Sequence, residues 1–186
     1  MSISTDPWDP ESPPPAGFFV SRARAVQKPP DNIHVRSATK GDFDALCALY
    51  HELNSEDLPA TDALQRQTFA DMLQQPGLTI LVAERDCTPV ATCTLVVVPN
   101  LTRGCAPYAL IENVVTRAKH RGLGIGHCLM QAAIKKAFEL GCFKVMLMSG
   151  ATNRDAHRFY EGLGFQTTKT GFEIRAAGVP ARKSGN

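Results

Sequence analysis

The 186 residues contain no Cys-x-x-Cys pair and no Cys/His spacing suited to zinc, so a metal knuckle is excluded and no metal is expected. The six cysteines are Cys47, Cys87, Cys93, Cys105, Cys128 and Cys142. Several lie in apolar runs, as in Val90 to Leu95, which reads as small buried hydrophobes in a reduced protein. An excess of one charge is also missing: 20 Lys and Arg stand against 18 Asp and Glu, for a formal +2. That balance calls for neither a nucleic-acid nor a membrane partner. No apolar run approaches the length of a bilayer span. The first residues are acidic and proline-rich rather than basic and then apolar, so a secretion signal is not expected and a cytoplasmic location is. Asn100-Leu101-Thr102 then reads as a loop and not as a glycosylation acceptor. No internal repeat is evident.

What is present suits one packed domain, with 44% hydrophobic residues. Residues 1–31 carry Pro7, Pro10, Pro13, Pro14, Pro15, Pro29 and Pro30 and read as a flexible extension. Residues 32–177 form the domain and residues 178–186 a tail. Ile33 to Arg36 alternates like a half-buried strand. Phe43, Leu46, Cys47, Leu49 and Tyr50 recur at helical spacing behind Thr39 and Asp42, and a second helix fits Asp62 to Gln74. Strands are expected at Leu78 to Ala83, Val90 to Val98 and Tyr108 to Thr116. A helix from Gly124 to Leu140 has Leu129, Met130, Ala133, Ile134, Ala137 and Phe138 as its apolar stripe. Phe143 to Met148 is nearly all apolar and reads as a central strand. A short helix from Asn153 to Glu161 and two closing strands, Phe165 to Thr168 and Gly171 to Arg175, complete a mixed α/β order.

The most informative stretch runs from Ile111-Glu112-Asn113-Val114-Val115-Thr116 to Arg121-Gly122-Leu123-Gly124-Ile125-Gly126. A strand passes through a basic turn into a helix. At a helix start the backbone N–H groups lack partners and the dipole is positive, and glycines let an anion approach closely. The turn is therefore an anion cradle suited to a pyrophosphate. Gly-Lys-Ser/Thr is absent, and the glycines run GxGxG rather than GxGxxG, so neither a P-loop nor a dinucleotide fingerprint fits.

Arg121, Gly124 and Gly126 fill the [Arg/Gln]-x-x-Gly-x-[Gly/Ala] signature of the GNAT superfamily, which the chain resembles from Asn32 to about Ala176. The resemblance implies a GNAT fold, with a mixed central sheet of about six to seven strands flanked by about four helices. It implies that Val114, Val115 and Thr116 pair through their backbone with the pantetheine arm of acetyl-CoA. Arg121, Gly122, Leu123, Gly124, Ile125 and Gly126 would hold the pyrophosphate. Arg117, Lys119 and His120 either meet the 3′-phosphate or are solvated.

A second segment, Asn153 to Phe165, resembles the family's Asn…Ala…Phe-Tyr…Gly-Phe run. The resemblance makes Asn153 a helix cap and a pantetheine ligand, and places Tyr160 near the thioester sulfur. A phenol there can protonate the departing thiolate. His157 reads as a surface residue. An alkylammonium must also lose a proton before it can attack, since its pKa is about 10. Glu112 is the candidate base, the alternative being a salt-bridged strand residue. A backbone N–H near Asn113 or Val114 would polarise the thioester carbonyl.

These residues imply transfer of acetyl from acetyl-CoA to a primary amine by direct attack in a ternary complex. The Ile-Glu-Asn strand is similar to that of glucosamine-6-phosphate N-acetyltransferases, and Asp155 to Tyr160 is similar to aminoalkylphosphonate acetyltransferases. Both point to a small-molecule amine. A protein or peptide amine and a non-catalytic CoA-binding module are the alternatives. Homodimerisation is a tendency of the family.

Overall fold

The computed structural model describes residues 32–57 and 60–178. Five strands and four α-helices run in the order β1 (Ile33–Ser37), α1 (Phe43–Leu53), α2 (Asp62–Gln74), β2 (Leu78–Arg85), β3 (Thr88–Val98), β4 (Tyr108–Thr116), α3 (Ile125–Glu139), β5 (Val145–Leu147) and α4 (Arg154–Gly162). The sheet order follows the chain order, antiparallel from β1 to β4, with β5 added parallel to β4.

Burial explains the layering. β3 is buried over most of its length, which fits a strand covered on both faces. Ala91, Cys93 and Leu95 of β3 join Leu81, Ile111, Leu129, Met130 and Ala133 in the core beneath α3. On the opposite face Ile80, Val82 and Val115 pack against Phe43, Leu46, Leu49 and Phe69 of α1 and α2. Each Leu, Ile, Val, Phe or Met among these, fully buried, contributes roughly 1.5–3 kcal/mol.

The N-terminus of α1 is fixed by charge as well as by packing. Arg36 of β1 donates two 2.8 Å bonds to the carboxylate of Asp42 and one of 2.9 Å to Glu84 of β2. The same carboxylate accepts from the Thr39 backbone N–H at 2.7 Å and from its hydroxyl at 3.0 Å. Asp42 is only 5% exposed, and its pKa is lowered to about 2, chiefly by the Arg36 hydrogen bonds. α1 therefore starts at a set height above the sheet.

The sheet has five strands among the described residues, not six to seven. Phe165–Thr168 and Gly171–Arg175, read as closing strands, run without strand pairing. Their hydrophobic alternation is real, but Phe172 and Ile174 are 92% and 99% exposed and meet no second layer. β5 is also shorter than Phe143–Met148 and lies at the sheet edge instead of the centre. Its apolar run packs one face on the α3 core, which an edge strand can do as well as a central one. Phe138 leaves the expected stripe of α3 and is 45% exposed. Of the cysteines, Cys93 and Cys142 are buried as expected, whereas Cys87 and Cys105 are exposed in turns at positive φ. The extension read at 1–31 lies outside the described residues, as does all of the tail beyond Gly178.

Candidate active site

The site begins with a fault in β4. The pairing of β3 with β4 runs Thr92 to Val115 and then Thr94 to Glu112, so two residues of β4 oppose the single Cys93. Asn113 takes up the extra residue at φ 53°, a left-handed conformation that Asn tolerates better than most side chains. A bulge of this kind twists its strand and re-aims the residues beyond it. β4 pairs with β5 only through Ala109, Leu110 and Ile111. From Glu112 to Thr116 the edge of β4 facing away from β3 has no strand partner among the described residues. Val114, Val115 and Thr116 thus present a row of backbone donors and acceptors able to take an added extended chain. The side chain of Val115 points elsewhere, into the core beneath α1 and α2.

The end of β4 delivers the chain to the glycine turn. Gly122 and Gly124 have φ of 74° and 77°, and Gly124 is the N-cap of α3. The first α3 bond runs from the Cys128 N–H to the Gly124 carbonyl. The N–H groups from Gly122 to His127 therefore have no acceptor among the described residues. Arg121 folds back so that its Nε donates to the Thr116 carbonyl at 3.0 Å, closing the turn beneath these N–H groups. Gly126 marks where the parts meet. A Cβ there would stand 3.2 Å from Thr116 Oγ1 and 3.5 Å from the ring of Phe159, so β4, α3 and α4 converge at this glycine.

The basic group before the turn divides. Arg117 pairs with Glu52 of α1 at 3.2 Å, and the Ala118 N–H donates to the same carboxylate at 3.0 Å. Glu52 thereby ties the end of α1 to the turn. Lys119 and His120 line a hollow of about 250 Å³ with Arg85, Asp86, Thr88 and Val90. Burial first, and then the cations Lys119, Arg85 and Arg117, hold the His120 pKa down.

α4 brings the second segment. Asn153 caps it, its side-chain oxygen accepting from the Ala156 N–H at 3.0 Å, in line with the cap expected from the sequence. His157 Nε2 lies 2.9 Å from the Gly150 carbonyl, so this ring braces the loop. Tyr160 packs on the α3 side of the core between Phe159 and Phe165, with ring centroids 5.2 and 6.0 Å away. Burial raises its pKa, and Cys93 and Glu112 raise it further. The phenol is therefore held as the neutral, proton-donating form, and Glu112 is near enough to act on it. Glu112 is exposed and lies beside Thr94 across the strands.

The arrangement joins an open strand edge, an anion cradle, a protonated phenol and an exposed carboxylate. It can hold an extended ligand by its backbone, fix an anionic end, and move protons at the point where the strands part. No group of three or more His, Cys, Asp or Glu among the described residues is placed to hold a metal. No helix among them is long and apolar enough to cross a membrane. No motif gave Glu52 its place at the turn, or Tyr50 and Thr94 any place at the site. The last two have buried hydroxyls without a hydrogen-bond partner. Their placement depends on α1 docking over β3, which no local motif announces.

Comparison with known proteins gives concordant results. The acetyltransferase (GNAT) family model matches residues 44–165. A glucosamine 6-phosphate N-acetyltransferase of Trypanosoma brucei brucei is 30% identical over 137 residues, covering 73% of this chain and 90% of that protein. The solved structure of a protein provisionally named an acetyltransferase, from Agrobacterium tumefaciens str. C58, is 49% identical with a TM-score of 0.75, and the match covers 77% of this chain and 99% of that one. An aminoglycoside N-acetyltransferase in complex with CoA shares the fold at 18% identity and a TM-score of 0.67, covering 78% of this chain and 95% of that one.

Proposed function

This chain belongs to the GNAT family of acetyltransferases, and from that premise we propose that it moves the acetyl group of acetyl-CoA to a primary amine of a small molecule. The observation that carries the reading is the opening of β4 beyond Ile111, which leads into the unpaired N–H groups of the α3 turn and begins at Glu112, itself coupled electrostatically to Tyr160. A pantetheine arm is an extended amide chain and pairs with the Val114 to Thr116 edge. The N–H groups and Arg121 at the turn from Arg121 to Gly126 meet the pyrophosphate. Lys119 and His120, which Arg117 does not join because Glu52 holds it, face the 3′-phosphate. Asn153 spends its side-chain oxygen on the cap and keeps its amide N–H groups for the pantetheine.

The chemistry follows from these positions. Bound side by side, amine and thioester react as one molecule, which removes much of the entropic barrier. Glu112 takes a proton from the ammonium, and the free amine attacks the acetyl carbonyl. A backbone N–H at Asn113 or Val114 stabilises the oxygen that becomes negative. The C–S bond breaks, Tyr160 gives its proton to the thiolate, and the second amine proton restores the phenol. The products are the N-acetyl amine, CoA and one proton, with no covalent acyl-enzyme.

The acceptor side is supported by a groove of about 430 Å³ between α1 and α2, lined by Tyr50, His51, Asn54, Asp57 and Gln65 among others. Its size suits a small amine better than a folded protein. A homodimer is supported by the exposed apolar side chains of Phe172 and Ile174, which alternate along their segment. The test is a panel of amines (glucosamine 6-phosphate, an aminoglycoside, a lysine peptide) with acetyl-CoA and detection of free thiol. Turnover only with the peptide would replace the small-molecule reading by a protein or peptide acceptor. Binding of acetyl-CoA without turnover on any amine would favour a non-catalytic CoA-binding module.

A further inference from the structure

Two hydroxyls on the α1 side of the sheet have no partner. Thr94 of β3 is 3% exposed, and its Oγ1 is buried without a hydrogen bond. The Tyr50 hydroxyl, reaching in from α1, is buried in the same way. It comes close to Thr94 and Thr92 without closing a well-formed bond to either, and Thr92 spends its own proton on the Leu81 carbonyl at 2.8 Å. Unpaired buried hydroxyls are costly, and water is the usual partner where the surroundings are polar. Thr94 is also the direct cross-strand neighbour of Glu112, on the same face of the sheet. Side chains in such a pair stand about 5 Å apart at Cβ, a gap that one water can bridge. The Tyr50 ring continues from this point into the groove between α1 and α2.

We propose that Thr94 and Tyr50 are positioning residues that hold a water against Glu112, through which the acceptor ammonium loses its first proton. Thr94 Oγ1 accepts from the Tyr50 hydroxyl and donates to the water. The water accepts a proton from the ammonium while passing one of its own to the Glu112 carboxylate. One N–H bond breaks, one O–H bond forms on Glu112, and the water is left unchanged. The inference rests on Glu112 being the base.

The raised titratable groups around this track are Cys47 and Tyr50 from α1 on its own side of the sheet, and Cys93 from β3 and Tyr160 from α4 on the opposite, α3 side. Burial is the leading cause that raises each of them, Cys93 to about 12. The upward shifts hold all four toward their neutral forms near pH 7. His51, which also lines the groove, is common to wild type and variants, so a pH dependence that differs between them belongs to the ammonium and to whatever removes its proton.

The experiment uses the full chain with Thr94→Val and Tyr50→Phe, each of nearly the same shape as the original, beside Glu112→Gln. Glucosamine 6-phosphate is the first acceptor and glucosamine the second. The expected result is a fall in kcat of about 10-fold in both hydroxyl variants near pH 7, shrinking as the pH approaches the amine's own pKa, with acetyl-CoA affinity unchanged. A purely structural role would give a defect that does not vary with pH. Impaired Glu112→Gln with wild-type Thr94→Val and Tyr50→Phe would overturn the water relay and leave the base in place. Wild-type behaviour of Glu112→Gln would overturn the base itself. Two readouts need no acceptor. A high-resolution crystal structure should show a water bonded to both Thr94 Oγ1 and the Glu112 carboxylate, and its absence would sink the proposal. A clear rise in Tm for Thr94→Val would do the same, because it would mean that the hydroxyl is simply unsatisfied.

Discussion

Replacing Asp42 by Asn should cost the domain about 2 kcal/mol at neutral pH, and the cost should fade in acid. The carboxylate is 5% exposed, accepts two bonds from Arg36 and two from Thr39, and has its pKa lowered from 3.8 to about 2. A depression of that size, at 1.36 kcal/mol per unit, gives about 2 kcal/mol of stability. Because the folded value is the lower one, the contribution is fully present well above pH 3.8 and is lost as the pH falls toward 2. By the same linkage about half should survive at pH 3. The Asn variant cannot titrate there, so the gap between wild type and variant isolates this one group from the other acids. Urea unfolding at pH 7 and pH 3 measures it. A gap of about 2 kcal/mol shrinking to about 1 supports the reasoning. A gap that stays constant or widens in acid would refute it, since the carboxylate would then not be the stabilised species. The consequence reaches the site, because α1 carries both Glu52, which clasps the turn, and Tyr50.

Other substitutions separate chemistry from packing. Tyr160→Phe should lower kcat by about 100-fold with acetyl-CoA affinity kept, measured by thiol release and calorimetry. A loss of affinity in place of rate would make Tyr160 only a binding residue. Leu95→Ala removes a side chain that is 0% exposed and should cost about 3 kcal/mol in denaturant unfolding; a cost below about 1 would mean that the core collapses around it. Asn153→Ala should cost about 1 kcal/mol through the cap on α4, and unchanged stability would show that the cap bond is not formed in solution.

Much of the architecture was legible because the local signals agree. The apolar spacing of α1, the bounds of α2, the β-branched run of β3 and the glycine that precedes α3 each belong to one element and needed no partner to be read. The closing strands failed for the opposite reason. Phe172-Glu173-Ile174-Arg175 alternates well, but a strand exists only where another edge accepts it, and none among the described residues does. The glycine turn and Tyr160 were visible as contiguous motifs. The bulge at Asn113 was not, because nothing in Ile-Glu-Asn-Val-Val tells which residue will be skipped by β3. The unpaired hydroxyls of Tyr50 and Thr94 lie 44 positions apart by their numbering and meet only through tertiary packing.

Every role proposed for the site depends on acetyl-CoA lying along β4 with its pyrophosphate on the α3 turn. Calorimetric titration of the protein with acetyl-CoA, repeated on Gly124→Glu, tests this most directly. The substitution sets a carboxylate at the cradle and strains a residue at φ 77° by about 1–2 kcal/mol, which a thermal melt run alongside would register. The wild type should bind one acetyl-CoA per chain, and a variant that still folds should lose about 100-fold or more in affinity. Equal binding by both proteins, or none by the wild type, would contradict this placement.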